Sequence, residues 1–151
     1  PPGDYSWSGT LTIAEEGDYT FLVQPISGSG SITVDGRQVA RTGGPGFGVM
    51  ARKWSSLIPT TDGRDNGRGV TTRLSAGPHA ITMAANSNTE EPLSIRFRWI
   101  TPETRRAGIE AAVTAAKKAR TAVVFAWNGA GPSLALPEDQ NELIERVAAA
   151  N

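Results

Sequence analysis

The sequence predicts a mainly β protein, a sandwich or barrel, followed by a helix-strand-helix piece of α/β type. Three observations carry this expectation. From about Trp7 to Ile100 the apolar residues recur with period two, in short runs broken by Gly, Pro, Asn and Asp. At "TPETRRAGIEAAVTAAKKA" the period changes to that of an amphipathic helix. Beyond it, "TAVVFAW" is a continuous apolar run of the kind found in strands buried on both faces.

The β elements follow in order. "TLTIA" and "YTFLV" flank "EEGD" and predict a hairpin, with Leu11 and Ile13 inward on one strand and Tyr19, Phe21 and Val23 inward on the other. "SITVDGRQVA" predicts a second hairpin, in which Asp35 and Gly36 supply the positive-φ pair of a two-residue turn. "VTTRL", "AGPH" and "AITMAA" predict a third, with Ile81 and Met83 inward. In "LSIRFRWI" one face carries Leu93, Ile95, Phe97 and Trp99, and the other Ser94, Arg96 and Arg98. The intervening "RTGGPGFGVMARKWSSLIPTTDGRDNGRG" reads as long loops, which in compact domains are usually functional or disordered.

At Thr101 the chemistry changes. Thr101 can N-cap, Pro102 suits the first helical turn, and Ile109, Ala112, Val113 and Ala116 form a stripe at helical spacing. Lys117 and Lys118 complement the negative end of the helix dipole. "LPEDQNELIERVAAAN" predicts a second helix, striped by Leu143, Ile144, Val147 and Ala148. The expected division is therefore 1–100 for a β-domain and 101–151 for a piece of another domain. An apolar strand at Ala122 to Trp127 has no sheet around it in this chain, so either its neighbours lie on other polypeptide or the strand reading is wrong.

Fifteen basic and fifteen acidic side chains cancel, which argues against nucleic acid or an anionic membrane as partner. No apolar run approaches the ~18 residues of a membrane span. The absence of cysteine removes disulfides, thiolate catalysis and sulfur-ligated zinc, and leaves secreted and cytoplasmic locations both open. No cofactor or metal is expected. "TGGPGFG" lacks the Lys-Ser/Thr ending of a phosphate loop. "DGRDNG" would place Arg64 and Arg73 at the third and twelfth positions of a calcium loop, where oxygen ligands belong.

The single histidine, His79, reads as a solvated turn residue with no nucleophile placed beside it. Glu15, Glu16 and Asp18, and Glu90 with Glu91, are paired carboxylates of the type glycoside hydrolysis requires, but they lie in tight polar connections where charge is expected anyway. Trp7, Phe21, Phe97 and Trp99 read as core, whereas Phe47, Trp54 and Trp127 sit beside loops. Sugar rings present C–H faces that stack on aromatic planes, so the candidate substrate contacts are Phe47, Trp54 and Trp127, with Asn128 next to the last.

Two segments together resemble a known arrangement. "WSGTLTIAEEGDYTFLV", followed by "ITVDG", is similar to the protective-antigen-like β-domain. "AAVTAAKKARTAVVFAW", followed by "LALPEDQNELIERVAAAN", resembles the start of the C-terminal α/β sandwich domain of glycoside hydrolase family three. β-Glucosidases of that family carry the β-domain as an insertion in this chain order. The resemblance implies part of a retaining β-glycosidase acting on a β-glucoside or other glycoside. It makes the barrel domain and the rest of the sandwich domain the partners of this chain. It also implies a catalytic acid/base Glu after the strand, where this sequence has "NGAGPS", while Glu138 and Asp139 more simply start a helix. No catalytic residue is carried over. Sugar-binding relatives of the β-domain can hold calcium through adjacent Asp residues before the hairpin, where this chain has "SGSGS", so the resemblance does not extend to calcium-dependent sugar binding. The competing reading is a non-catalytic carbohydrate-binding or structural module.

Overall fold

A computed structural model describes residues 2–25, 28–42, 68–69, 71–87, 90, 93–126, 136 and 139–151. They gather into two compact units, Pro1–Pro102 and Glu103–Asn151.

The first unit is a β-sandwich, as the alternating sequence requires. Its strands are β1 (Gly3–Ile13), β2 (Gly17–Pro25), β3 (Ser29–Val34), β4 (Arg37–Thr42), β5 (Arg68–Gly69), β6 (Thr71–Leu74), β7 (Gly77–Ser87) and β8 (Ile95–Ile100). One antiparallel sheet has the order β1-β7-β3-β4-β5 and the other β6-β2-β8. Ile13, Tyr19, Phe21, Val23, Ile32, Val34, Val39, Ala40 and Leu74 form the buried core. The buried Tyr19 phenol donates to the Glu15 carbonyl at 2.9 Å, which satisfies its one polar atom.

Two of the three expected hairpins are not hairpins. β1 pairs with β7 along its whole length, while β2 pairs with β6 and β8, so the "EEGD" connection carries the chain from one sheet to the other. The connection from β6 to β7 does the same in reverse. Alternation marked the inward faces correctly, but a strand can bury its apolar face by facing its neighbour as well as by pairing with it. The Asp35–Gly36 hairpin does form, with φ of 48° and 77°, and a bulge between Ile32 and Thr33 turns both Val39 and Ala40 inward.

Trp7, on edge strand β1, and Trp99, on edge strand β8, were expected in the core but are 45% and 41% exposed. Trp7 stacks on Tyr5 and meets Phe97 edge-on, and Trp99 tilts against Tyr19 and Phe21. Gly30 faces inward, close against the opposite sheet. A Cβ there would collide with Ile95 Cδ1 and lie 2.9 Å from Val23 Cγ1.

His79 is 9% exposed and not a solvated turn residue. Its Nδ1 lies 2.6 Å from Asp35 Oδ2 and its Nε2 lies 2.9 Å from the Ser75 carbonyl, so both ring nitrogens face acceptors. Asp35 Oδ1 accepts from the Ala80 amide at 2.9 Å, which ties the β3–β4 turn to β7. The Asp35 carboxylate, and then the Ser75 carbonyl, raise the His79 pKa above its ordinary 6.5, against the opposing pull of desolvation. The His79 ring, and then the Ala80 amide, lower the Asp35 pKa below 3.8.

The second unit holds α1 (Pro102–Lys118) and α2 (Gln140–Ala148), the two helices that the sequence predicts. Ile109, Val113, Ala116 and Val147 are its core, with Ala122, Val124 and Leu143 packed against them. Arg105 Nη1 donates to Asp139 Oδ1 at 3.3 Å, and Arg146 reaches Glu110 at 2.5 Å. Asn151 Nδ2 donates to the carbonyls of Ala116 and Ala119, closing the end of α1. The segment 121–126 pairs with no strand among the described residues, and Val123 and Phe125 are 72% and 91% exposed.

Two outcomes follow from this packing. Gly30→Val overfills the inter-sheet contact and lowers stability by about 1–3 kcal/mol, measured by urea unfolding. The His79–Asp35 bridge makes stability pH-dependent in two directions. The His79 contribution is full below pH 6.5 and is lost as pH rises through the raised folded value, whereas the Asp35 contribution is full above pH 3.8 and is lost as pH falls through the lowered one. The melting temperature should therefore peak in mildly acidic buffer, and His79→Gln should flatten its decline toward alkaline pH.

Candidate functional site

The four residues that the sequence offered as substrate contacts, Phe47, Trp54, Trp127 and Asn128, lie outside the described residues. So do Glu138 and the "NGAGPS" stretch. What the described residues contribute is a surface, and its chemistry follows from strand register.

Successive side chains of a strand alternate between faces, so the outward positions of β1, β7 and β3 are fixed by their inward ones. Inward are Leu11 and Ile13, then Ile81 and Met83, then Ile32 and Val34. Outward are Asp4, Ser6 and Ser8 on β1, Thr82, Ala84 and Asn86 on β7, and Ser29, Ser31 and Thr33 on β3. Register places Ser6 beside Ala84, Ala84 beside Ser31, and Ser31 beside Arg41 of β4. One row further along, Asp4, Asn86 and Ser29 stand side by side. A cavity of about 540 Å³ opens over these rows.

Asn86 Nδ2 donates to Asp4 Oδ1 at 2.6 Å and orients the carboxylate. In the next row Ser8 and Thr82 share a hydrogen bond of 3.2 Å. The trough is thus lined by one carboxylate, one guanidinium, the amides of Asn86 and Gln38, several hydroxyls and Tyr5. In sequence terms "SGSGS" speaks to calcium only through the carboxylates it lacks. Its outward serines were legible from period-two counting, but the partner strands that complete the trough were not.

The other candidates resolve into structure. Glu16 accepts from Arg73 at 2.8 Å and Asp18 lies 3.9 Å from it, an exposed pairing across β2 and β6 of the kind worth about 0–1 kcal/mol. His79 has both nitrogens engaged, so it offers no free base. Among the described residues, no group of three His, Cys, Asp or Glu side chains could hold a metal ion.

No protein-family model matches the chain, and no curated protein matches it. Solved structures do. DesR, a β-glucosidase from Streptomyces venezuelae crystallised with D-glucose, matches 100% of the chain at TM-score 0.74 and 29% identity, over 18% of its own length. A β-glucosidase from Kluyveromyces marxianus in complex with glucose matches 98% of the chain at TM-score 0.51 and 20% identity, over 17% of its length. Its selenomethionine form gives TM-score 0.54 and 20% identity over 100% of the chain and 18% of its own. At 20% identity the Kluyveromyces structures speak for the fold alone. The resemblance to β-glucosidases of glycoside hydrolase family three is borne out, and the chain corresponds to a segment making up about a fifth of such an enzyme.

Proposed function

We propose that the chain is part of a retaining β-glycosidase, a β-glucosidase by its likeness, in which residues 1–100 shape substrate access on the aglycone side. The observation that carries the reading is the match of the entire chain, at 29% identity, to a segment of a β-glucosidase crystallised with D-glucose. Two folding units of unequal size in one chain accord with a β-domain followed by a piece of an α/β domain. The exposed Val123 and Phe125 accord with a strand at 122–127 that pairs within the rest of the polypeptide.

In this reading Phe47 and Trp54, from the long loops, meet the leaving-group side of the substrate, and Trp127 with Asn128 lies where the strand meets the sugar. An aromatic plane there favours bulky or apolar aglycones by stacking. Retention requires two carboxyl groups ~5–5.5 Å apart across the scissile bond, one as acid/base and one as nucleophile. Neither is assigned within this chain, so the 151 residues alone should not hydrolyse a glycoside.

The test uses the intact polypeptide and an aryl β-glucoside, with the first-formed sugar followed by NMR. β-Glucose as the initial product supports the reading, α-glucose would contradict retention, and an intact polypeptide inert toward every β-glycoside offered would overturn the function. Trp54→Ala or Phe47→Ala should lower kcat/KM for a bulky aryl glycoside about tenfold, on the order of 1–2 kcal/mol, and leave a small glucoside nearly unaffected. Equal losses on both substrates, with a fall in melting temperature, would assign these residues to packing.

A further inference from the structure

We propose that the trough on the outer face of the five-stranded sheet is a binding site for a neutral, hydroxyl-rich ligand, a short glycan lying across β1, β7, β3 and β4. The cavity above these strands, about 540 Å³, falls within the ~300–1,000 Å³ range of small-molecule sites. Its depth has a plain cause. Ser6, Ala84 and Ser31 stand next to one another across three strands, and none extends further than one heavy atom past Cβ. Longer side chains stand at either end, Asp4 with Asn86 on one side and Arg41 with Gln38 on the other.

The lining selects the ligand. One carboxylate and one guanidinium cancel, so neither an anion nor a cation is favoured over the length of the trough. The outward positions of the three floor strands carry Ser, Thr, Ala, Asn and Asp, whose hydroxyl, amide and carboxylate groups face a ligand, and Tyr5 adds an aromatic residue to the lining. Sugar hydroxyls donate and accept at once. They match a carboxylate that only accepts, a guanidinium that only donates, and serine hydroxyls that do both. Asn86 already holds one Asp4 oxygen, at 2.6 Å, which fixes the carboxylate and directs its second oxygen to an incoming hydroxyl. β1 and β4 are three strand spacings apart, roughly 14 Å, which exceeds one pyranose ring and calls for an oligosaccharide.

The hydroxyl-binding geometry stands by itself, while the choice of a gluco-configured probe rests on the β-glucosidase reading. In the intact polypeptide the active site is first blocked with a mechanism-based fluoroglucoside. Cellotriose, laminaritriose and maltotriose are then titrated by NMR, with melting temperatures recorded for every variant. At least one trisaccharide should still bind the blocked protein, and Asp4→Ala and Ser6→Trp should each weaken it tenfold or more without lowering the melting temperature. Ser6→Trp fills the trough from an exposed edge-strand position, where an aromatic residue suits the strand. Failure of all three trisaccharides to bind, or binding that survives both substitutions, overturns the proposal. If the unblocked protein hydrolyses no glucoside, the function proposed above falls, and the titrations still decide the trough.

Discussion

Everything in the first unit depends on two short connections that carry the chain across the sandwich. Residues Ala14 to Glu16 separate β1 from β2, and Ser75 and Ala76 separate β6 from β7. Each link could have closed a hairpin. Because each instead switches sheets, β1 is free to run antiparallel to β7 over eleven residue pairs, and β2 becomes the centre of the opposite sheet. Ile13 and Tyr19, six positions apart in sequence, then meet in one core and not in one ladder.

That exchange sets the character of both faces. Inside, β2 presses Tyr19, Phe21 and Val23 against Ile32, Val34 and Val39. Outside, the same pairing lines up Ser6, Ala84, Ser31 and Arg41 across four strands, and the trough exists only because they are neighbours. Trp7 and Trp99, each on an edge strand among the described residues, remain half exposed although their strands alternate in the manner of core strands. They keep their positions through ring contacts with Tyr5, Phe97, Tyr19 and Phe21.

Much of this was legible in the sequence, and the failures have physical reasons. Period two marked which residues of β1, β2 and β7 face the core, because that information is local to each strand. The Asp35–Gly36 turn was legible because positive φ has a narrow residue preference. Pairing was not, since "EEGD" and "SA" suit a corner between sheets as well as a hairpin. The half-exposure of Trp7 and Trp99 goes with the place of β1 and β8 at sheet edges among the described residues, which no single strand encodes. His79 was read from its turn, but its environment is set by Asp35, forty-four positions away. For "AVVFA", half of the expected burial is present: Ala122 and Val124 pack on the helices while Val123 and Phe125 face outward. The loop aromatics Phe47 and Trp54 rest on composition and on the family resemblance.

The sheet switch is the claim on which core and trough both stand, and cross-strand proton contacts measure it directly. In a two-dimensional NMR experiment on the 151-residue chain, backbone contacts should link Ser8 with Thr82 and Thr33 with Thr82, their partners in the five-stranded sheet. Backbone contacts between Ile13 and Gly17 or between Leu11 and Tyr19, with those to Thr82 missing, would mean that β1 and β2 form a hairpin after all. The account of both faces would then be wrong.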